Sequence, residues 1–237
     1  MNELTKLGKH HGTDKAGPEH NYTEAVYYHM LKKIKDKDIK LLELGVGNTG
    51  ASIKMWRDYL QNAEITLFDP FFIIDPAVTV TPEELQNLGV RVIKGNQLSR
   101  EDLATLSDEE EYYDIIIDDA SHVSDGISLS LANLLPYLNK NGCYVIEDLS
   151  CARNRDRRLD DCHRWLDGET VDQTIKKIYH QEEYHILDTL ENFKRTGKWK
   201  SKILNDDEIH FLEQNIGVFK SFIDNNSQTN LVVIKRK

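Results

Sequence analysis

Long apolar runs are missing from this chain of 237 residues: the most continuous, such as Ile115–Ile117 and Leu231–Ile234, are only a few residues long. A membrane-spanning helix needs roughly 18, so none is expected. Cysteine is scarce too. Cys143, Cys151 and Cys162 form no Cys-x-x-Cys pair, and an odd number is a poor disulfide framework, which leaves reduced thiols as the expectation. At this length a folding chain buries roughly 70 to 75% of its unfolded surface, so no disulfide or metal staple is needed. Basic residues are outnumbered. Thirty Lys and Arg against 40 Asp and Glu leave a formal charge of −10, which repels a phosphate backbone and argues against general nucleic-acid binding. The opening stretch MNELTKLGKHHGTDK has no apolar centre of the secretory kind and carries acids that transit peptides avoid. The expected location is the cytoplasm, and the expected partner is a small molecule, not a membrane or a nucleic acid. A homo-oligomer is left open.

What is present is an alternation of strand and helix patterns from about residue 39 onward, the signature of a parallel sheet with crossover helices. Strands are expected at Ile39–Leu44, Ala63–Phe68, Val90–Lys94, Tyr113–Asp118 and Gly142–Ile146. Between them, 51–60, a segment capped by Thr81 and Pro82 that runs to about Leu88, Arg100–Leu106 and 124–138 read as helices. A charged stretch then leads to a helix near Val171–Lys194. From Glu208 the chain changes character, with β-rich runs IGVFKSFI and LVVIKR around DNNS, as in an antiparallel hairpin closing the sheet edge. The expected fold is α/β, a Rossmann-like, doubly wound and mostly parallel sheet of about seven strands closed by that hairpin. Residues 1–36, with a helix at Glu24–Ile34, read as an accessory segment, and 37–237 as the main domain.

Three clusters carry chemistry. The turn after the first strand, GVGNTG, matches GxGxxG with Gly45, Gly47 and Gly50, and Asp69 follows 19 residues after Gly50 at the end of the next strand. Such a turn admits a ligand close to the backbone while a carboxylate holds ribose hydroxyls; the bland alternative is a tight turn and nothing more. Glu43, two residues before the first glycine, suits a cationic ligand, which favours S-adenosylmethionine over a pyrophosphate dinucleotide. The fourth strand ends in DDASH (Asp118 to His122) and the fifth in IED (Ile146 to Asp148), and strand carboxyl ends face one crevice. Asp119, Glu147 and Asp148 converging there require a positive counterpart, for which magnesium or another divalent cation with oxygen ligands is suited. His122 is placed to act as a general base.

With these residues in view, the sequence resembles the class I S-adenosylmethionine-dependent methyltransferases, and among them the metal-dependent macrolide sugar O-methyltransferases; the cephalosporin hydroxylase family is a more distant resemblance. It rests on GTDKAGPEHNYTEAVYY (12–28), LELGVGNTGASIKMWRDY (42–59), GNQ (95–97), DIIIDDASHV (114–123) and YVIEDL (144–149). The resemblance implies that Glu43, Gly45, Gly47, Asp69, Asn96, Gln97 and Asp118 lie against the cofactor. It further implies that Asp119, Glu147 and Asp148 hold the metal, that His122 is the base, and that Thr13, Asp14, His20 and Tyr22 cover the site, with aromatic packing as the alternative for Tyr22 and Tyr28. Three departures stand out: Asn96 where the family often has aspartate, Ala120 where it often has glycine, and the arginine-rich stretch after IEDL, which leaves the substrate open.

The implied activity is transfer of a methyl group to a hydroxyl of a sugar or glycosylated small molecule. A catechol-type diol would fit the same geometry. A nicotinamide-dependent oxidoreductase, supported only by the glycine turn and Asp69, leaves the carboxylates unexplained. A non-catalytic ligand-binding protein on the same scaffold is the reading from another class. Within 151–165, Arg153, Arg155, Arg157, Arg158 and Arg164 are either a solvated connector or a grip for an anionic group on the substrate.

Overall fold

The computed structural model describes residues 1–18, 20–71, 79–107, 112–149, 184–223 and 229–237. The arginine-rich segment, Cys151, Cys162, the first part of the helix expected over 171–194 and the DNNS turn lie outside these residues.

Among the described residues the strands form one seven-stranded sheet, with β1 Lys40–Leu44, β2 Glu64–Asp69, β3 Arg91–Lys94, β4 Tyr113–Asp118, β5 Leu138–Ile146, β6 Ile216–Ile223 and β7 Thr229–Arg236. Their spatial order is β3-β2-β1-β4-β5-β7-β6. β1 to β5 pair in parallel, and β7 runs antiparallel to both β5 and β6. The expected doubly wound sheet with a closing hairpin is the one that forms. Strand order reverses between β1 and β4, so the carboxyl ends of those two strands flank the crevice where ligands bind in such sheets.

Successive side chains on a strand point to opposite faces, and each face meets its own helix layer. Leu41, Leu67, Ile115, Ile117 and Val145 pack with Leu4, Val26, Tyr27, Leu31, Ile53, Trp56 and Leu85. These come from α1 (Glu3–His11), a π-helical turn (Thr23–Tyr27) continuing into α2 (Tyr28–Leu31), α3 (Ala51–Tyr59) and α4 (Pro82–Asn87). Leu42, Leu44, Ile116, Tyr144 and Ile146 pack against the other layer: α5 (Arg100–Ala104), α6 (Ser124–Leu134), α7 (Ile186–Thr196) and α8 (Asp206–Asn215). Each fully buried aliphatic side chain in these layers contributes roughly 1.5–3 kcal/mol.

Local sequence explains the helix ends. Thr81 and Glu84 form a reciprocal capping box on α4, and Asn205 and Glu208 form another on α8. α8 ends at Asn215, and strand begins at Ile216, the start of the run IGVFKSFI expected to be β-rich. α1, which was not anticipated, is capped by Asn2, whose side chain accepts from the Thr5 amide at 2.8 Å. β5 starts at Leu138, earlier than the expected Gly142, because Pro136 ends the preceding helix in a single 3-10 turn (Leu135–Tyr137) that feeds straight into the strand. No helix among the described residues is long and apolar enough to cross a membrane.

Candidate active site

The glycine turn after β1 is shaped by contacts that only glycine tolerates. Gly45 has φ +97°, and a side chain there would overlap the backbone carbonyl of Asp119. Gly47 also has positive φ (+58°), but its missing side chain faces open space, with nothing within 4 Å. Asp69, at the end of β2, accepts hydrogen bonds from the amides of Val46 (3.0 Å) and Phe71 (2.5 Å). It thereby ties the glycine turn to the neighbouring strand.

Strand alternation separates the predicted acids. Glu43 on β1 and Glu147, two residues after Val145, point to the face covered by α1, α2 and α3; Asp118 points to the face covered by α6. Asp118 is 1% exposed. It accepts from Gln97 Nε2 (2.6 Å), Tyr144 Oη (3.0 Å) and the Ser130 hydroxyl. Gln97 in turn accepts from the Ser121 amide and hydroxyl. Both residues, expected against a cofactor, have their polar atoms engaged inside the protein. Burial pushes the Asp118 carboxyl up to about 6 against the pull of these donors. The side chain of Asn96, expected there as well, caps its own turn by accepting from the Leu98 amide at 2.9 Å.

On the other face lies a group whose cation was missed in the sequence. Lys15, in the 3-10 turn Asp14–Ala16, is 1% exposed and inserts its ammonium among three carboxylates. It contacts Asp119 Oδ2, Glu147 Oε2 (3.0 Å) and Glu43 Oε1 (3.4 Å). Burial disfavours its charge, but Asp119, Glu147, Glu43 and Asp14 outweigh burial and hold the ammonium well above the ordinary lysine value. The Tyr27 hydroxyl donates to Glu147 Oε1, and Trp56 Nε1 donates to Glu43 Oε2 at 2.8 Å. Burial pushes Glu43 up to about 7, despite Lys15. The sequence does contain the clue: acids at adjacent strand ends demand a positive partner, and GTDKAG supplies a lysine.

The structure therefore divides the expected metal ligands. Asp119 and Asp148 come together with His122, their ligand atoms all within 4.8 Å of one another, while Glu147 is engaged by Lys15 and Tyr27. Two carboxylates suit a hard divalent cation, and an imidazole beside them suits a general base. His122 and Asp148 both have left-handed backbones (φ +54° and +52°), a conformation that costs on the order of 1–3 kcal/mol each and is typical of functional sites. Burial would raise the Asp148 carboxyl, but His122, His20 and the Tyr22 hydroxyl prevail and hold it below the usual range.

The N-terminal segment closes over this group. Tyr22 Oη donates to Asp148 Oδ1 at 2.8 Å, and His20 Nδ1 lies 3.5 Å from the same oxygen. Asp14, His20 and Asp148 form a second set of converging ligand atoms. Tyr28 instead packs its ring under the Lys32 ammonium, 5.4 Å away.

The chain is 31% identical over 153 residues to the 8-demethyl-8-(2-methoxy-alpha-L-rhamnosyl)-tetracenomycin-C 3'-O-methyltransferase of Streptomyces olivaceus, a match covering 62% of this chain and 37% of that protein. It is 29% identical to the mycinamicin VI 2''-O-methyltransferase of Micromonospora griseorubida, covering 62% and 36%. Among solved structures, the MycE methyltransferase of the mycinamycin pathway, in complex with Mg and SAH, superposes with a TM-score of 0.68 at 21% identity, covering 99% of this chain and 55% of that one. The fold is that of a Rossmann-like methyltransferase. The matched region spans little more than a third of the length of these curated relatives. No family model matches the chain.

Proposed function

We propose that this protein is an S-adenosylmethionine-dependent, divalent-metal-dependent O-methyltransferase acting on a hydroxyl of a sugar or glycosylated small molecule. The observation that carries the reading is the convergence of Asp119, His122 and Asp148 at the carboxyl ends of β4 and β5, beside a glycine turn bounded by Asp69. The relatives, which are named as sugar O-methyltransferases, point to the same chemistry.

In this reading Gly45, Gly47 and Asp69 would hold the cofactor, which would supply an electrophilic methyl group. Gly47 leaves room for it, Asn96 and Gln97 fix the backbone beside it through the Leu98 and Ser121 amides, and Asp118 and Glu43 anchor the Gln97 and Trp56 side chains. Asp119 and Asp148 would hold a divalent ion, which would supply a Lewis acid for the acceptor hydroxyl. His122 takes the hydroxyl proton, a role worth roughly 10² to 10⁴ in rate for a positioned base. Residues 1–36 act as a cover: Tyr22 and His20 hold Asp148, Lys15 holds Asp119, and together they exclude water from one side of the site.

The test pairs calorimetry with turnover. Titration with S-adenosylmethionine should show binding where NAD shows none. Radiolabelled methyl transfer to a panel of glycosylated acceptors should cease in excess EDTA and return with Mg or Mn. Binding of NAD alone, or full transfer after verified metal removal, would overturn the reading.

A further inference from the structure

Lys15 stands where a divalent ion would be expected to find its strongest ligands. Its ammonium takes one oxygen of Asp119 and one of Glu147, and it sits 3.4 Å from Glu43. The other oxygen of Asp119, Oδ1, faces His122 Nε2 at 4.0 Å, and Asp119 and His122 converge with Asp148. One carboxylate is thus shared between a resident cation and the position open to a metal ion.

We propose that Lys15 is a positioning residue that moderates metal binding: it holds Asp119 by Oδ2, keeps the carboxylates assembled when no ion is bound, and limits what an arriving ion gains from them. The inference rests on the metal dependence proposed above. Its physical basis is twofold. A fixed positive charge within a few ångströms opposes a divalent cation in a poorly screened interior. An aspartate with one oxygen committed to an ammonium also cannot offer both to the ion. The closest hydrogen-bond donors to the remaining acids, Tyr27 on Glu147 and Trp56 on Glu43, are neutral. Among the described residues around Glu43 and Glu147, Lys15 therefore supplies the buried positive charge that offsets these acids.

The test is the affinity for Mn²⁺, read by electron paramagnetic resonance of free aqueous Mn²⁺ and by calorimetry on the full chain. Lys15→Met should bind Mn²⁺ at least about tenfold more tightly than the parent. That variant leaves the buried Glu43 and Glu147 and the half-buried Asp119 without their cation and risks failing to fold. Lys15→Met combined with Glu43→Gln removes one charge of each sign, and Trp56 can still donate to the new amide oxygen, so the double variant keeps the test available. It should also bind Mn²⁺ more tightly than the parent, because Asp119 regains its second oxygen. A role in packing alone would change the melting temperature and leave Mn²⁺ affinity where it was. Parent-like or weaker Mn²⁺ binding by the folded double variant would overturn the proposal while leaving metal dependence standing. If neither parent nor variants bind Mn²⁺ at millimolar concentration, metal dependence itself fails and the inference falls with it. Binding by the variants alone would support it in its strongest form.

Discussion

Tyr22 and Asp148 are 126 residues apart in the chain, and the hydroxyl of one donates to the carboxylate of the other at 2.8 Å. This bond fastens the N-terminal segment to the end of β5, at a residue whose backbone is already in a strained conformation. Tyr22→Phe removes the donor and keeps the ring. It should lower stability by about 1–2 kcal/mol, seen as a lower urea midpoint with an unchanged m-value. An unchanged midpoint would mean that the ring, and not the hydroxyl, holds the segment.

The two glycines of the turn should respond in different ways. Gly45→Ala has both a forbidden backbone angle and a collision with the Asp119 carbonyl, and should cost on the order of 3 kcal/mol or more, or prevent folding. Gly47→Ala meets no atom and pays only for its left-handed backbone, about 1–2 kcal/mol. It should fold yet bind S-adenosylmethionine more weakly, because its new methyl group points into the space assigned to the cofactor. Thermal melts and cofactor titration of the pair check both statements.

His122→Ala should reduce the chemical step by roughly 10² to 10⁴ and leave cofactor affinity nearly unchanged. Single-turnover kinetics separates this from a binding defect. Partial recovery of rate at high pH is expected, since the acceptor then needs less help in losing its proton. Parent-like single-turnover rates would assign the proton to another group.

A fourth expectation concerns stability and pH. Arg100 grips Glu208 through two nitrogens at 2.8 Å each, and Arg100, with the Asn205 amide, holds the Glu208 carboxyl below its usual range. A depressed folded-state value means stability that is present above the unfolded-state value, near 4.5, and is lost as pH falls through the folded one. The pair is partly exposed, so its worth is discounted for solvent to about 0.5–1 kcal/mol. Glu208→Gln should therefore lower the melting temperature slightly at pH 7, and the gap to the parent should close as pH falls through the depressed folded-state value. A gap that persists in acid would trace the effect to the α8 capping box instead.

Much of the architecture follows from local pattern. The alternation of apolar strands and helices, the glycine turn, and the acids placed directly after β4 and β5 can all be read without coordinates, because period, caps and turn residues act over a few neighbours. What sequence order could not decide is the partner of each acid. Asp118 and Asp119 are adjacent, as are Glu147 and Asp148, yet each pair is split: Asp118 turns to Ser130 and Tyr144, Asp119 to Lys15, Glu147 to Lys15 and Tyr27, Asp148 to Tyr22 and His20. Strand alternation makes the split predictable in kind, but the partners of Asp119, Glu147 and Asp148 arrive from a segment more than 100 residues distant. Lys15 has no neighbour in sequence that explains its burial. A lysine loses its hydration only where several carboxylates replace it, and that enclosure exists only once the N-terminal segment has packed across the ends of β1, β4 and β5.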